Sequence, residues 1–372
     1  MDALTTPSNW QRVRLGDVGN PCMCKRVMKH QTTRYGEIPF YKIGTFGNTA
    51  DAFISKKLFL EYKTKYSFPK KGDILISASG TIGRAVIYDG KPAYFQDSNI
   101  VWIDNDETLV KNDFLFYAYS HVKWNTEHTT ILRLYNDNFR NTLIPLPPLN
   151  EQAAIANVLS DVDRYLYNLD ALILKKESVK KALSFELLSQ KKRLKGFNQA
   201  WQRVRLGDIA HYLTSNLSVE QITQQGKIKV YDVNNFIGYT DTTFISDKPY
   251  ISIVKDGSVG RVRILPPKTN ILSTMGALIA NHRTTTEFLF YLLSNFDFKN
   301  FTSGSIIPHI YFKDYKEKTI FLPPLNEQIA IANVLSGLDN EITSLKNKKR
   351  QFENIKKALN HDLMSAKIRV LK

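Results

Sequence analysis

Two short stretches combine small side chains, glycine and a cation: "SGTIGR" at 79–84 and "DGSVGR" at 256–261. A turn made of glycine and small residues lets the backbone approach a phosphate, with a cation beside it to supply charge. The residues that fit this chemistry are Ser79, Thr81 and Arg84 in the first stretch, and Lys255, Ser258 and Arg261 around the second. An ordinary β-turn with surface charges has the same composition. Two later loops, Thr129–Arg133 and Gly304–His309, form a second candidate pair, with Thr130, Arg133, Ser305 and His309 as the polar groups. Reading bases would need Arg, Asn or Gln side chains in a groove, and one sequence does not assign them.

Bond-making chemistry has no comparable signature. No G-x-x-x-x-G-K-[ST] loop occurs, and G-x-x-G in "GTIGR" is too short to replace one. The [DN]-P-P-[YF] motif of an amino-methyltransferase is missing, since the Pro-Pro pairs precede Leu or Lys. The seven His form no H-x-x-x-H pair. Cys22 and Cys24 supply at most half a zinc site and are too close for an ordinary structural disulfide. The chain itself is therefore expected to be non-catalytic, without metal or cofactor. The cysteines read as plain reduced thiols, which makes a cytoplasmic setting the default. The N-terminus shows no secretory signal pattern, and no run of about 18 apolar residues suggests a membrane span.

The formal charge of +16 calls for an anionic partner, with nucleic acid first among the classes. The excess is +5 over residues 1–149, +2 over 150–194, +5 over 195–325 and +4 over 326–372, so there is no polybasic tail. Two basic globular parts of equal charge suit a chain that touches a polyanion twice. General solubility is the plainer explanation of the same balance.

The elements that must position these turns are themselves duplicated. "WQRVRLGD" stands at 10–17 and again at 201–208; "LPPLNEQAAIANVLS" at 146–160 returns as "LPPLNEQIAIANVLS" at 322–336. Between them "GTIGRAVIY" at 80–88 corresponds to "GSVGRVRIL" at 257–265. From Pro147 and Pro323 onward, 24 of 48 positions are identical, while the preceding domains diverge. The segments thus do one job twice, and the domains do two related but different jobs.

The prolines force an extended approach. Asn150 and Asn326 are placed as helix N-caps, with Glu151 and Glu327 in the first turn, where the helix dipole favours negative charge. Apolar residues follow in alternating steps of four and three: Ile155, Leu159, Val162, Leu166, Leu169 and Ile173, then Ile331, Leu335, Leu338, Ile342 and Leu345. The seam breaks near Lys176 and Lys349 and resumes at Val179, Leu183, Leu187 and at Ile355, Leu359, Leu363. The first helix is expected to end near Leu194, with Gly196 as its C′ residue. Each helix would run about 43 residues, roughly 65 Å. Packing the two antiparallel buries both seams and relates the halves by a pseudo-two-fold. The other solution packs each helix on its own domain. The domains read as mixed α+β, with β-rich runs around each glycine turn and a short helix at "NDFLFYAYSHVKW" and "TEFLFYLLSNFDF".

This arrangement resembles the specificity (S) subunit of type I restriction–modification systems, on the twice-occurring P-P-L-x-E-Q helix start, the repeated "WQRVRLGD", and the stretches "GDILIS…GTIGR" and "GSIIPHIYF". The resemblance implies target-recognition domains at 1–149 and 195–325 and spacer helices at 150–194 and 326–372, the helices forming a coiled coil. Each domain would read one half of a bipartite double-stranded DNA site through the major groove. The helices would set the spacing and dock two modification (M) subunits through Asn150, Glu151, Gln152, Ile155 and Leu159 and through Asn326, Glu327, Gln328, Ile331 and Leu335. The M subunits would methylate adenine with S-adenosylmethionine, and restriction (R) subunits would join for cleavage. Divergence between the domains implies an asymmetric target. The alternative from another class is a coiled-coil assembly scaffold that binds only protein.

Overall fold

A computed structural model describes residues 10–128 and 132–370; the candidate Thr130 lies outside them. The chain forms two compact units. Unit 1 joins the residues up to Leu169 with those from Lys348 onward, and unit 2 is Asp170–Asn347. The mixed α+β class holds in both. Each long helix has 40 residues, Leu149–Leu188 and Leu325–Met364, or about 60 Å. The division falls inside the helices rather than at their ends, so each unit contains the start of one helix and the end of the other.

Unit 1 carries a four-stranded antiparallel sheet in the order Gly19–Met23, Ile100–Asn105, Ile74–Ser77, Ala85–Ile87. Unit 2 repeats it with Ala210–Thr214, Met275–Ala280, Tyr250–Val254 and Val262–Leu265. A three-stranded sheet accompanies each. The helices Asn112–His121 and Thr286–Ser294 bury Phe114, Leu115 and Phe288, Leu289 in the main core of their units.

The two repeated motifs are halves of one joint. In unit 1 the strand Gln11–Arg14 pairs antiparallel with Leu143–Leu146, directly before the proline pair. In unit 2, Gln202–Arg205 pairs with Thr319–Leu322 in the same way. The tryptophan that opens each motif then reaches the helix start. Trp10 Nε1 donates to Glu151 at 3.0 Å, and Trp201 Nε1 to Glu327 at 2.9 Å. An arginine beyond the end of a long helix completes each joint with two bonds: Arg369 to Glu151 at 2.5 and 2.7 Å, and Arg193 to Glu327 at 3.0 and 2.6 Å. The neighbouring glutamines bind backbone. Gln328 accepts from Thr285 N–H and the Thr284 hydroxyl and donates to the carbonyls of Arg283 and Pro323. Gln152 accepts from Lys111 N–H and donates to Leu109 and Pro147.

Helix segments run antiparallel within each unit. In unit 1, Tyr165 meets Phe352 with ring centroids 4.5 Å apart, and Asp163 takes Lys356 at 2.5 Å and Tyr117 Oη at 2.8 Å. In unit 2, Asp339 takes Lys180 at 2.5 Å and Tyr291 Oη at 2.8 Å, and Lys176 reaches Glu341 at 2.7 Å. Both expected packing solutions are therefore used by one seam. Ile155 and Leu159 enter the unit 1 core together with Leu363; Ile331 and Leu335 enter that of unit 2 with Leu187. Leu169, Ile173 and Ile342 are buried mid-helix.

Three details correct the sequence reading. The helices already begin at Leu149 and Leu325, because the Pro148 and Pro324 carbonyls accept the first helical N–H bonds. Asn150 and Asn326 thus sit inside the first turn, each accepting from the next residue's N–H. The first helix ends at Leu188, not near Leu194; Gln190 takes the left-handed conformation at φ +64° and turns Arg193 back onto Glu327. Val179 and Ile355 are half exposed, so the seam resumes one step later, at Leu183 and Leu359.

Gln328→Leu should destabilise the fold by about 3 kcal/mol, since it orphans several buried backbone groups at once; urea unfolding measures this, and Gln152→Leu should match it. At the end of its helix, His121 packs on His361 with ring centroids 5.3 Å apart. Burial first, then the charges of His361 and Arg12, hold the His121 pKa below its usual value. The unfolded chain binds that proton more readily, so this contribution is complete above the ordinary histidine pKa and is lost as pH falls below it. His121→Asn, which installs the residue unit 2 carries there as Asn295, should flatten the decline in melting temperature between about pH 8 and about pH 5.5.

Candidate nucleic-acid interface

Each glycine turn is closed by a pair of backbone bonds. In unit 1, Ser77 N–H donates to Arg84 O at 3.0 Å and Gly83 N–H to Ser77 O at 2.9 Å. In unit 2, Val254 N–H donates to Arg261 O and Gly260 N–H to Val254 O, both at 2.9 Å. The first glycine of each turn, Gly80 or Gly257, has a positive φ and open space where a Cβ would stand. The second is packed: a Cβ on Gly83 would lie 2.1 Å from Trp124 Nε1, and one on Gly260 would lie 2.6 Å from Phe298. An aromatic floor thus fixes the turn and leaves its tip in solvent.

In each unit the glycine turn lies beside described residues of the second candidate loop, about fifty residues on in sequence. Leu134 N–H donates to Ala78 O at 2.9 Å and Ser79 bridges Arg133. In unit 2, Ile310 N–H donates to Lys255 O, Gly257 N–H donates to Pro308 O, each at 2.9 Å, and Asp256 bridges His309. These loops read as separate candidates in the sequence; in unit 2 they form one surface, and in unit 1 Arg133 joins the glycine turn.

Individual residues divide. Thr81, Arg84, Ser258, Arg261 and Ser305 are exposed at this surface. Arg84 Nη1 donates to Phe46 O at 3.0 Å, and Arg261 Nη2 to Asn234 Oδ1 at 2.8 Å, which aims each guanidinium without burying it. Arg133, Lys255 and His309 are partly buried. Ser79 is buried and donates to Asn99 at 2.7 Å, so its hydroxyl shapes the loop and is closed to a phosphate. His309 Nδ1 stands 2.7 Å from Asp256 Oδ1. An ionised carboxylate only accepts, so Nδ1 carries the proton and Nε2 remains for a partner.

Three site residues carried no sequence signal. Asn99 joins Ser79 to Arg133 Nη2, the latter at 3.4 Å. Asn234 holds both Arg261 and Arg263, the latter through its carbonyl at 3.0 Å. Arg263 also lies over the Tyr231 ring, 5.2 Å from its centroid. Only Arg263 was accessible in principle, two positions beyond Arg261 in "GRVR".

The expected docking residues lie elsewhere. Glu151, Gln152, Ile155 and Leu159 are buried in unit 1, and Glu327, Gln328, Ile331 and Leu335 in unit 2. They are consumed by the joints of their own units and offer no face to another subunit; Asn150 and Asn326 remain exposed. Cys24 is buried, which pushes its thiol up to about 12, and both cysteines are free. Among the described residues no cluster of three or more His, Cys, Asp or Glu could hold a metal, and no helix is long and apolar enough to cross a membrane.

A family model described as the type I restriction modification DNA specificity domain matches residues 7–178 and again 198–354. The chain belongs to this family. A Haemophilus influenzae protein provisionally named a type I restriction enzyme specificity subunit, S.HindORF215P, is 64% identical over 148 residues, which span 40% of this chain and 38% of that protein. The MjaVIII specificity subunit of a type I restriction enzyme from Methanocaldococcus jannaschii is 26% identical across 100% of this chain and 95% of its own length. The crystal structure of a type I restriction–modification S subunit from M. genitalium superposes with a TM-score of 0.64, covering 98% of this chain and 99% of that one at 20% identity, which establishes a common fold.

The glycine turns permit a direct check. Gly80→Ala should cost about 1 kcal/mol, the left-handed penalty of a residue in open space. Gly83→Ala adds the collision with Trp124 and should cost clearly more; urea unfolding of both variants gives the comparison.

Proposed function

We propose that this chain is the DNA-recognition subunit of a type I restriction–modification enzyme, with each unit reading one half of an asymmetric bipartite site in double-stranded DNA. The observation that carries this reading is the paired-loop surface, present once per unit on a chain with two specificity domains. Exposed Arg84 and Arg261 supply phosphate contact, and the half-buried Arg133 and His309 supply directional donors. The units differ at this surface: Ser79, Asn99 and Arg133 in one, Asp256 and His309 in the other. Two different surfaces suit two different half-sites.

The catalytic work falls to partners. Modification subunits would bind S-adenosylmethionine and methylate adenine, and restriction subunits would join them, all in the cytoplasm. Because the repeated glutamates and glutamines are buried, docking of those subunits falls to exposed apolar positions of the helices, among them Tyr167, Leu174 and Phe185. The long antiparallel helices would serve as the spacer that fixes the gap between half-sites.

The test is the methylation pattern of host DNA with and without this gene, together with binding by the chain reconstituted with its modification subunits. One bipartite motif with two unlike halves and a fixed gap is expected. Arg261→Ala should weaken binding and lower the slope of log affinity against log salt by about 1. Equal affinity for every duplex across the salt series would sink the reading.

A further inference from the structure

At the unit 2 surface a short hairpin stands beside the glycine turn and its charged residues. Thr302 pairs with Ile310 and Ser303 with His309. Gly304 reverses the chain at φ +90°, where a Cβ would lie 2.3 Å from Ile307 O. Pro308 limits the returning strand, and its carbonyl accepts from Gly257 in the glycine turn at 2.9 Å. The tip between these fixed points is Ile306 and Ile307, exposed by 92% and 55%. No polar role accounts for two neighbouring isoleucines in solvent beside Lys255, Ser258 and Arg261.

We propose that Ile306 and Ile307 read thymine by its 5-methyl group in the half-site served by unit 2; this rests on the DNA-recognition function above. Three observations favour it. The flanking charges Lys255 and Arg261 are cationic, and the nearby carboxylate of Asp256 is engaged by His309, so the setting favours a polyanion over an apolar protein surface. A two-stranded ribbon fits the major groove, about 12 Å wide, and not the minor groove at about 6 Å. In the major groove the apolar feature of a base pair is the thymine methyl. The anchored base of the hairpin presents the tip already ordered, which limits the entropy lost on contact. The aligned positions of the first repeat are Thr130 and Ile131 in sequence, so the two repeats differ at the first of these positions.

The experiment uses the chain assembled with its modification subunits and duplexes of its own site in which each thymine, one at a time, is replaced by uracil. Uracil keeps the base pair and removes only the methyl. One or two replacements, confined to a single half-site, should weaken binding about four-fold, the value of one buried methyl-sized group. The double variant Ile306→Ala, Ile307→Ala should bind the unmodified site as weakly as the wild type binds the uracil duplex, and lose sensitivity to those replacements. Its melting temperature and its response to changes in the other half-site should be unaltered, which separates a lost contact from a misfolded unit. The proposal is overturned if the wild-type complex discriminates its site yet tolerates uracil everywhere. It is equally overturned if the variant weakens all duplexes alike, matched or scrambled, as a wedge between base pairs or a protein contact would produce. Failure of the wild-type complex to prefer any duplex would instead reject the recognition function itself.

Discussion

A carboxylate buried at the start of a helix must be paired, because an isolated charge cannot be taken out of water at tolerable cost. Glu151 and Glu327 are two such groups, and each is satisfied by a tryptophan and an arginine. The tryptophan directly precedes the first strand of each repeat, and the arginine lies in the turn that follows the other long helix. In unit 1 one side chain therefore ties three segments distant in sequence, Trp10, Glu151 and Arg369. Because the arginine follows the opposite helix's end, each helix start lies against a helix finish, and the segments must run antiparallel. The ladder from Asp163 to Lys356, and from Asp339 to Lys180, continues the same register. The glycine turns belong to four-stranded sheets separate from the two-stranded sheets of these joints.

Much of this architecture is written as repetition. Two echoes of "WQRVRLGD" and of "LPPLNEQ" reveal the duplicated plan, and the four-three spacing reveals the helices. That the two echoes are partners is invisible, because a strand pairing across some 130 residues leaves no periodic trace. The first-turn position of Glu151 suggests a dipole effect, whereas its structural role comes from Trp10 and Arg369. Val179 and Ile355 keep an apolar phase that the helix geometry does not bury, since the polar break around Lys176 and Lys349 lets the seam drift.

The site was legible to a smaller degree. Glycine with a small residue and a cation does mark the exposed turns, because positive φ and, at Gly83 and Gly260, close packing on an aromatic ring demand glycine there. Polar type alone, however, does not separate Ser79, which faces inward, from Ser258, which faces solvent. Asn99 and Asn234 act by holding other side chains, and such support is set by tertiary placement alone. For the repeated Glu-Gln pair the family resemblance implied a docking role, whereas its partners are buried backbone, tryptophan and arginine within its own unit.

The ownership of the two arginines also sets an order of assembly. Unit 2 is continuous, and Arg193, Trp201 and Glu327 all lie within Asp170–Asn347. Unit 1 is split, and Glu151 waits for Arg369, near the last residues described. During synthesis, then, the second half can close its core while the first still lacks a wall. Trp10 and the Glu151 carboxylate stay without their cation until Arg369 has been made, after every residue of unit 2.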